Sequence, residues 1–358
     1  MGNSNTCAQN AGSGSTEFPW KWSLKDLEQN KKHGHTVFSC FSCGGGSSMG
    51  YKIAGYDVIG NCEIDPSIMK VYKANFNPRF SYLMDIRDFA KLPDEEIPAE
   101  LRNLDILDGS PPCSVFSMAG LRQDGWGVEK KFREGQASQR LDDLFFHFLD
   151  VADRLQPKVV IAENVKGLVI GQSKGWVNQI FKKFDDIGYV VQLFLLNSAV
   201  MGVPQRRERV FFIARRKDLD YPKLSLSFNS KPIPFREVRE EKGKYLGPNV
   251  LSQALMKYRK PTDRDLSDIN KRARKKTGMF TSPICRDNEP VPTVTSGGYM
   301  FRMCDGLHLT DRDISNCQTF PQDYDYLDQD VKYVCGMSVP PVMMARIAEQ
   351  VHFQWLND

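Results

Sequence analysis

Residues 35–50 read HTVFSCFSCGGGSSMG, and this stretch decides the fold class. HTVFSCF (35–41) is an apolar run with β-branched and aromatic residues, which is typical of a buried strand. Three glycines follow it, and the next residues suit the first turn of a helix. A strand that passes through a glycine turn into a helix is the first unit of a parallel sheet, so we expect an α/β domain to begin here.

The same alternation continues to about residue 216. Further buried strands are expected at 56–65, 104–110, 158–165, 189–197 and 209–216, with helices at 66–76, 142–155 and 175–188. Apolar runs that alternate with amphipathic helices predict an α/β fold with a doubly wound, mostly parallel sheet.

The chain divides into four regions by its residue patterns. We expect a disordered tail and a short helix over residues 1–35, and the α/β domain over 36–215. A smaller second domain is expected over 216–325, and a C-terminal helix that returns to the first domain over 326–358. The second domain is inferred where prolines and charges replace the alternation. Its basic residues are concentrated at 257–276, and a solvated surface is the favoured explanation of such a charge run taken alone.

Composition excludes several classes of protein. No apolar run approaches the roughly 20 residues that span a bilayer, so no membrane association is expected. The nearest cysteine pair, Cys40 and Cys43, has no second pair or histidine cluster to complete a zinc site, and no metal is expected. A net charge of +4 is compatible with a polyanionic partner without requiring one.

The chemically informative residues follow the expected strands. In an open parallel sheet, ligands bind beyond the carboxyl ends of the strands. The glycine turn after Phe41 allows close approach of a ligand, and Glu63 could accept hydrogen bonds from two ribose hydroxyls. Together they suggest an adenosine-containing cofactor, although a tight turn with a surface glutamate is the simpler alternative. The spacing is not GxGxxG, which disfavours a dinucleotide.

GSPPCSVFSMAG (109–120) follows the strand at 104–110. Pro111 and Pro112 fix their own φ angles and restrict the residues before them, so they would hold the sulfur of Cys113 in one place. A nucleophile and a buried core thiol are equally compatible with this pattern.

Two further groups lie near strand ends. Glu163 ends a buried strand, where it could hold the ring nitrogen of a heterocycle or begin a helix. Arg207 and Arg209 lie two residues apart just before a strand, so their side chains would share one face. They could bind a carbonyl oxygen or a phosphate there, or simply form an exposed basic edge.

Taken in order, these residues resemble the cytosine-C5 DNA methyltransferase family. The resemblance rests on FSCGGG (41–46), EID (63–65), DI (85–86), PPC (111–113), ENV (163–165), Gln205 with Arg207 and Arg209, PTVT (292–295), LTDRD to FP (309–321) and GMSVPP (336–341). It departs from the family at Cys43, Ser114 and Met337, where a glycine, a glutamine and an asparagine are usual.

The resemblance implies a Rossmann-like methyltransferase domain, a target-recognition domain over 216–325, and S-adenosylmethionine as the cofactor. Glu63 would bind the ribose and Asp85 the adenine amine. The implied cofactor-binding residues are Phe41, Ser42, Gly45, Gly46, Glu63, Ile64, Asp85, Ile86, Leu144 and Ser338.

The resemblance also implies a mechanism. Cys113 would add to C6 of a cytosine flipped out of double-stranded DNA, while Glu163 contacts N3 and the exocyclic amine. Arg209 would hold O2, and Arg207 would support the site. Residues 114–140 would form a mobile lid, and the basic run would contact phosphates.

Two alternatives stay open. A tRNA cytosine methyltransferase would share every catalytic residue, and an inactive paralogue would only bind nucleic acid. A third alternative, an NAD-dependent oxidoreductase, would need a GxGxxG motif, which is absent. A restriction endonuclease acting separately is compatible with the resemblance. The expected location is the cytoplasm and nucleoid of a bacterium, or otherwise the nucleus.

Overall fold

The computed structural model describes residues 18–30, 32–112, 143–170, 174–278 and 282–357. Most of the predicted disordered tail, Cys113 and the predicted lid (114–140) lie outside the described residues. Within these ranges no helix is both long and apolar enough to cross a membrane.

Seven strands of the described residues form one sheet in the order β3-β2-β1-β4-β5-β8-β6. The first five of these are parallel, whereas β8 runs antiparallel to both β5 and β6. The sheet strands are β1 (Thr36–Cys40), β2 (Asp57–Glu63), β3 (Phe80–Leu83), β4 (Ile106–Gly109), β5 (Val159–Val165), β6 (Tyr189–Asn197) and β8 (Glu208–Arg216). Short two-residue strands are β7 (Gln205–Arg206), β9 (Ile284–Cys285), β10 (Val291–Pro292) and β11 (Phe301–Arg302).

Helices cover both faces of the sheet. One face packs against α1 and α10, and the other against α3, α4 and α5. The helices are α1 (Gly46–Ile53), α2 (Pro66–Phe76), α3 (Ile86–Phe89), α4 (Leu144–Leu155), α5 (Lys174–Asp186), α6 (Leu251–Leu255), α7 (Leu266–Arg274), α8 (Asp311–Cys317), α9 (Val331–Met337) and α10 (Pro341–Val351). This arrangement confirms the predicted doubly wound, mostly parallel α/β fold.

Local sequence explains where several elements begin and end. The predicted bounds of α2 match those observed, because the side chain of Asp65 accepts hydrogen bonds from the amides of Ser67 and Ile68 and Pro66 suits the first turn. The predicted final helix starts only at Pro341 and ends in a π-helical turn at His352–Leu356. The pattern missed β3, which has no fully buried residue.

Residues 216–325 contribute to two cores. Leu255, Met256, Leu266, Ile269, Ile284 and Phe301 form a small separate cluster. Other parts, including Phe235 and Ile314, pack with Met49 of α1 and Ile68 of α2. The boundary at residue 216 stays a prediction, since part of the following segment packs directly against the α/β domain.

Candidate active site

A cleft opens beyond the carboxyl ends of β1, β2 and β4. It has an empty volume of about 780 Å³, part of it open to solvent. Its walls combine acidic groups with apolar side chains. The lining residues are Phe41, Cys43, Cys62, Glu63, Ile64, Asp65, Ile68, Met84, Asp85, Ile86, Ser110, Pro112, Leu144, Tyr333 and Met337.

Glu63 is held at the end of β2 by three backbone amides. Its Oε1 accepts hydrogen bonds from the amides of Ile64 and Asp65 at 2.9 and 3.0 Å, and its Oε2 accepts one from Cys43 at 2.9 Å. Burial raises the pKa of this carboxyl, and the three amides oppose that shift. Since an ionised carboxylate offers about four acceptor sites, Oε2 can take a further donor from a ligand in the cleft.

The three glycines of the turn at 44–46 are required because neighbouring residues pack closely against them, not because of the shape of the cleft. A Cβ on Gly44 would lie 2.3 Å from Val334 Cγ1, and one on Gly46 would lie 2.1 Å from the carbonyl oxygen of Val339. Gly45 adopts a φ of 75°, and a Cβ there would strike the ring of Phe76. The turn therefore lets α1 approach α2, α9 and α10 closely.

Six of the residues predicted for the cofactor line the cleft, and four do not. Phe41, Glu63, Ile64, Asp85, Ile86 and Leu144 contribute to its walls, whereas Ser42, Gly45, Gly46 and Ser338 do not. Sequence analysis missed Met84, Tyr333 and Met337 as lining residues. Met337 comes from α9, which the local pattern did not predict.

Arg87 fixes the side of the cleft formed by Asp85 and Leu144. Its guanidinium pairs with Asp85 Oδ2 at 3.0 Å and with Asp143 Oδ1 at 2.6 Å. Asp85 precedes α3 and Asp143 precedes α4, so this bridge holds the first turns of the two helices together.

The segment that leads to Cys113 is held against β5. Asn164 Nδ2 donates a hydrogen bond to the carbonyl oxygen of Pro111 at 3.0 Å, and Asn164 is buried. Ser110 and Pro112 line the cleft beside this contact. The described chain therefore ends at the edge of the cleft, at Pro112, the residue before Cys113.

Glu163 and Arg209 form an ion pair across the antiparallel strands β5 and β8. Arg209 Nε lies 3.0 Å from Glu163 Oε1, and both side chains are nearly buried, with 14% and 11% of their surface exposed. Arg209 also donates from a guanidinium nitrogen to the carbonyl oxygen of Glu208 at 2.8 Å. The structure thus brings these two predicted groups together next to Asn164.

Arg207 lies in a different environment from Arg209. Its guanidinium donates to the carbonyl oxygens of Val294 and Gly336 at 2.8 and 2.9 Å, and its side chain is buried. It therefore ties the PTVT and GMSVPP segments to the turn before β8. These contacts are with the backbone, and the supporting role of Arg207 in the site stays a prediction.

Thiols near the cleft stay protonated at neutral pH. Burial and the nearby Glu63 raise the pKa of Cys43 to about 12. Burial raises the pKa of Cys40 and of Cys62 well above the usual range for a thiol. Because the thiolate is the nucleophilic form, none of these three suits nucleophilic chemistry.

The members of the basic run at 257–276 differ in their contacts. Arg272 pairs with Asp263 at 2.7 Å, and Arg259 donates to the carbonyl oxygens of Met256 and Met303. The other members are exposed: Lys257, Lys260, Arg264, Lys271, Arg274, Lys275 and Lys276. Several of them follow the exposed face of α7, whose opposite face is buried.

We expect Asn164→Ala to lower kcat about tenfold, because it removes the hydrogen bond that positions Pro111 and leaves a buried carbonyl unpaired. The loss should appear in kcat rather than in KM. The exposed Asn103→Ala is the matched control. Steady-state kinetics of both variants check this, and an unchanged kcat for Asn164→Ala would contradict the role of Asn164.

Comparison with known proteins identifies the family. The model for C-5 cytosine-specific DNA methylases matches residues 35–352. The chain is 28% identical over 339 residues to the Type II methyltransferase M1.HphI of Haemophilus parahaemolyticus, covering 88% of this chain and 86% of that protein. It is 34% identical over 206 residues to M.NgoPII of Neisseria gonorrhoeae, covering 56% of this chain but only 55% of that protein.

Solved structures share the fold. A DNA modification methyltransferase encoded within an E. coli prophage superposes with a TM-score of 0.63 at 21% identity, covering 90% of this chain and all of that one. A DNMT2 protein of Spodoptera frugiperda superposes with a TM-score of 0.62 at 18% identity, covering 88% of this chain and 99% of that one.

Proposed function

Because this chain belongs to the C-5 cytosine-specific DNA methylase family, we propose that it methylates cytosine in duplex DNA through a covalent bond between Cys113 and C6 of a flipped-out base. The observation that carries the proposal is the arrangement next to Pro112. Asn164 holds the backbone ahead of Cys113, and the adjacent Glu163 pairs with Arg209. A nucleophile would then lie beside two groups that can recognise a pyrimidine ring.

The lining of the cleft suits S-adenosylmethionine, which supplies the methyl group as an electrophile. Glu63 Oε2 has room for a ribose hydroxyl, and Asp85 offers an acceptor for an exocyclic amine. Apolar side chains such as Ile64, Ile86 and Leu144 provide faces against which a flat purine can pack. Carboxylates that accept hydrogen bonds, together with apolar walls, provide the contacts that an adenosine requires.

The proposed chemistry uses three side chains on the cytosine. The Cys113 thiolate forms a bond to C6, and this makes C5 electron-rich enough to accept a methyl group. Glu163 shares a proton with N3, which neutralises the charge that develops on the ring, and Arg209 binds O2. When a base later removes the proton from C5, the C6–S bond breaks and the thiolate leaves.

Glu163 and Arg209 would change partners during this reaction. In the described state they bind each other at 3.0 Å. A cytosine that enters between them would offer O2 to the guanidinium and N3 to the carboxyl group. The ion pair therefore keeps both groups oriented until the base replaces their mutual contact.

We assign DNA binding to residues 216–325, the proposed target-recognition domain, and catalysis to residues 36–215. The exposed cations Lys271, Arg274, Lys275 and Lys276 on and after α7 are suited to phosphate contacts. A base stacked in a duplex leaves no room for attack at C6, so flipping must precede the reaction at a cost of a few kcal/mol.

We expect Glu63→Ala to raise the KM of S-adenosylmethionine about 10- to 100-fold, the equivalent of one or two lost charge-assisted hydrogen bonds. The change should fall mainly on this KM rather than on kcat with saturating cofactor. The exposed Glu100→Ala serves as the control. Cofactor titration at a fixed DNA concentration measures both values, and an unchanged KM would exclude Glu63 from the binding site.

The substrate is tested by supplying labelled S-adenosylmethionine with duplex DNA or with total tRNA. The proposal predicts incorporation into DNA, followed by protection of specific cytosines in bisulfite sequencing. Labelling of tRNA alone would contradict DNA as the substrate while leaving the catalytic residues in place.

A further inference from the structure

Three of the five histidines of the chain, all of which are described, meet at the end of β1 opposite to the cleft. His33 and His35 precede β1, and His352 follows α10. One ring nitrogen from each lies within 4.8 Å of the other two. The rings of His33 and His352 stack with their centroids 4.0 Å apart, and that of His35 lies 5.0 Å from His33.

The hydrogen bond of His33 determines which of its nitrogens has a lone pair. Its Nε2 lies 2.9 Å from the carbonyl oxygen of Ala54, and a carbonyl only accepts, so Nε2 carries the hydrogen. Nδ1 then has a lone pair, and it is buried without a hydrogen-bond partner among the described residues.

Asp105 lies close to His35. Its Oδ1 is 3.7 Å from His35 Nδ1, beyond hydrogen-bond distance, and the same carboxylate is fixed by Lys158 Nζ at 2.7 Å and by the amide of Thr36 at 2.8 Å. A carboxylate or carbonyl that accepts from one imidazole nitrogen is the usual support for a histidine that binds a metal through the other nitrogen. Ala54 gives this support to His33, and the negative charge of Asp105 favours a hydrogen on Nδ1 of His35.

We propose that His33, His35 and His352 bind one Zn²⁺ ion, with His33 ligating through Nδ1 and His35 through Nε2. Imidazole nitrogens suit Zn²⁺, and a tetrahedral ion with Zn–N distances of about 2.0–2.1 Å needs nitrogens roughly 3.4 Å apart. Binding would bring the three nitrogens closer together than the observed limit of 4.8 Å. It would also turn the stacked rings of His33 and His352, whose planes lie 12° apart, so that both lone pairs point at one ion. A groove lined by Asp26 and Glu349 beside the cluster gives water access to the fourth position.

The ion would join two distant parts of the chain. His33 and His35 belong to the segment before the central strand, while His352 belongs to the C-terminal helix that covers one face of the sheet. Five residues of β1, roughly 16 Å at about 3.3 Å per residue, separate the cluster from the cleft. The cluster therefore lies outside the cleft in which methyl transfer is proposed.

Equilibrium dialysis of the full chain against ZnCl₂, with bound zinc counted by mass spectrometry, tests the proposal. We expect His352→Gln to bind one ion fewer than the wild type, or to bind it at least tenfold more weakly. His147→Gln, a histidine of α4 outside the cluster, should bind as the wild type does. Equal binding by all three proteins would assign the zinc to cysteines and overturn the proposal, as would absence of bound zinc in the wild type.

A second measurement needs no substitution. Imidazole ¹⁵N spectra of the wild type should show zinc-dependent shifts at His33 Nδ1 and His35 Nε2, with no change at His147 or His308. Shifts at other nitrogens only would overturn the assignment even if a variant failed to fold. Methyl transfer should persist after chelation, so the result can be separated from any failure of the proposed function.

Discussion

Replacing Cys113 by serine should lower kcat for DNA methylation by at least about 10⁴-fold, which is the loss expected when a covalent nucleophile is removed. A serine hydroxyl is far less acidic than a thiol and adds poorly to C6. No described thiol of the cleft can replace it, since burial keeps Cys43 and Cys62 protonated. Binding of S-adenosylmethionine should be unaffected, because the proposed cofactor site consists of other residues.

Single-turnover methylation of a duplex by Cys113→Ser measures this loss. The control is Cys304→Ser, because Cys304 is exposed and does not line the cleft, so its replacement should leave kcat within about twofold. A Cys113→Ser variant that methylates DNA within tenfold of the wild-type rate would show that the reaction does not proceed through this sulfur.

The second large effect is expected at Glu163. Glu163→Gln should lower kcat by about 10²–10³-fold, as for the loss of a group that stabilises charge only in the transition state. The amide has the same shape but cannot share a proton with N3, and it leaves the nearly buried Arg209 without its anionic partner. The effect should fall on kcat more than on the KM of either substrate.

Glu208→Gln is a matched control for Glu163→Gln. Glu208 is the residue before Arg209 and pairs with Lys166 at 2.9 Å, but its side chain is 44% exposed. Its replacement should change kcat by less than about twofold, since exposed ion pairs contribute little. Pre-steady-state rates distinguish the two variants. Equal rates for Glu163→Gln and the wild type would remove Glu163 from the chemistry.

The sheet could be predicted because each of its central strands is a buried apolar run. KVVIAENV and RVFFIARR are apolar over most of their length, and both lie inside the sheet with helices on each face. The edge strand β3 was missed because its residues are only partly buried, so its sequence lacks that pattern. Local patterns thus predict the strands whose side chains are buried in the core.

Side-chain roles were harder to predict from the sequence. Alternation placed Arg207 and Arg209 on one face, but Arg207 is fixed by the carbonyl oxygens of Val294 and Gly336, residues 87 and 129 positions away. The glycines of the turn suggested an approaching ligand, yet they accommodate Val334, Phe76 and Val339. Such contacts depend on tertiary packing, which a local pattern does not contain.

The histidine cluster also could not be predicted from local sequence patterns. The absence of a metal was inferred from cysteine spacing, and His352 is more than 300 residues from His33 in the sequence. Only the packing of α10 and the segment before β1 brings these rings together. No spacing rule could have identified this group.

The proposed bond between Cys113 and C6 can be tested most directly by trapping it. The full-length protein is incubated with S-adenosylmethionine and a duplex that contains 5-fluorocytosine at the target position, where fluorine cannot leave as the C5 proton does. The account predicts a stable protein–DNA complex whose linked peptide, identified by mass spectrometry, carries the modification on Cys113. Absence of a covalent complex on a duplex whose unfluorinated form is methylated, or a link to any other residue, would contradict it.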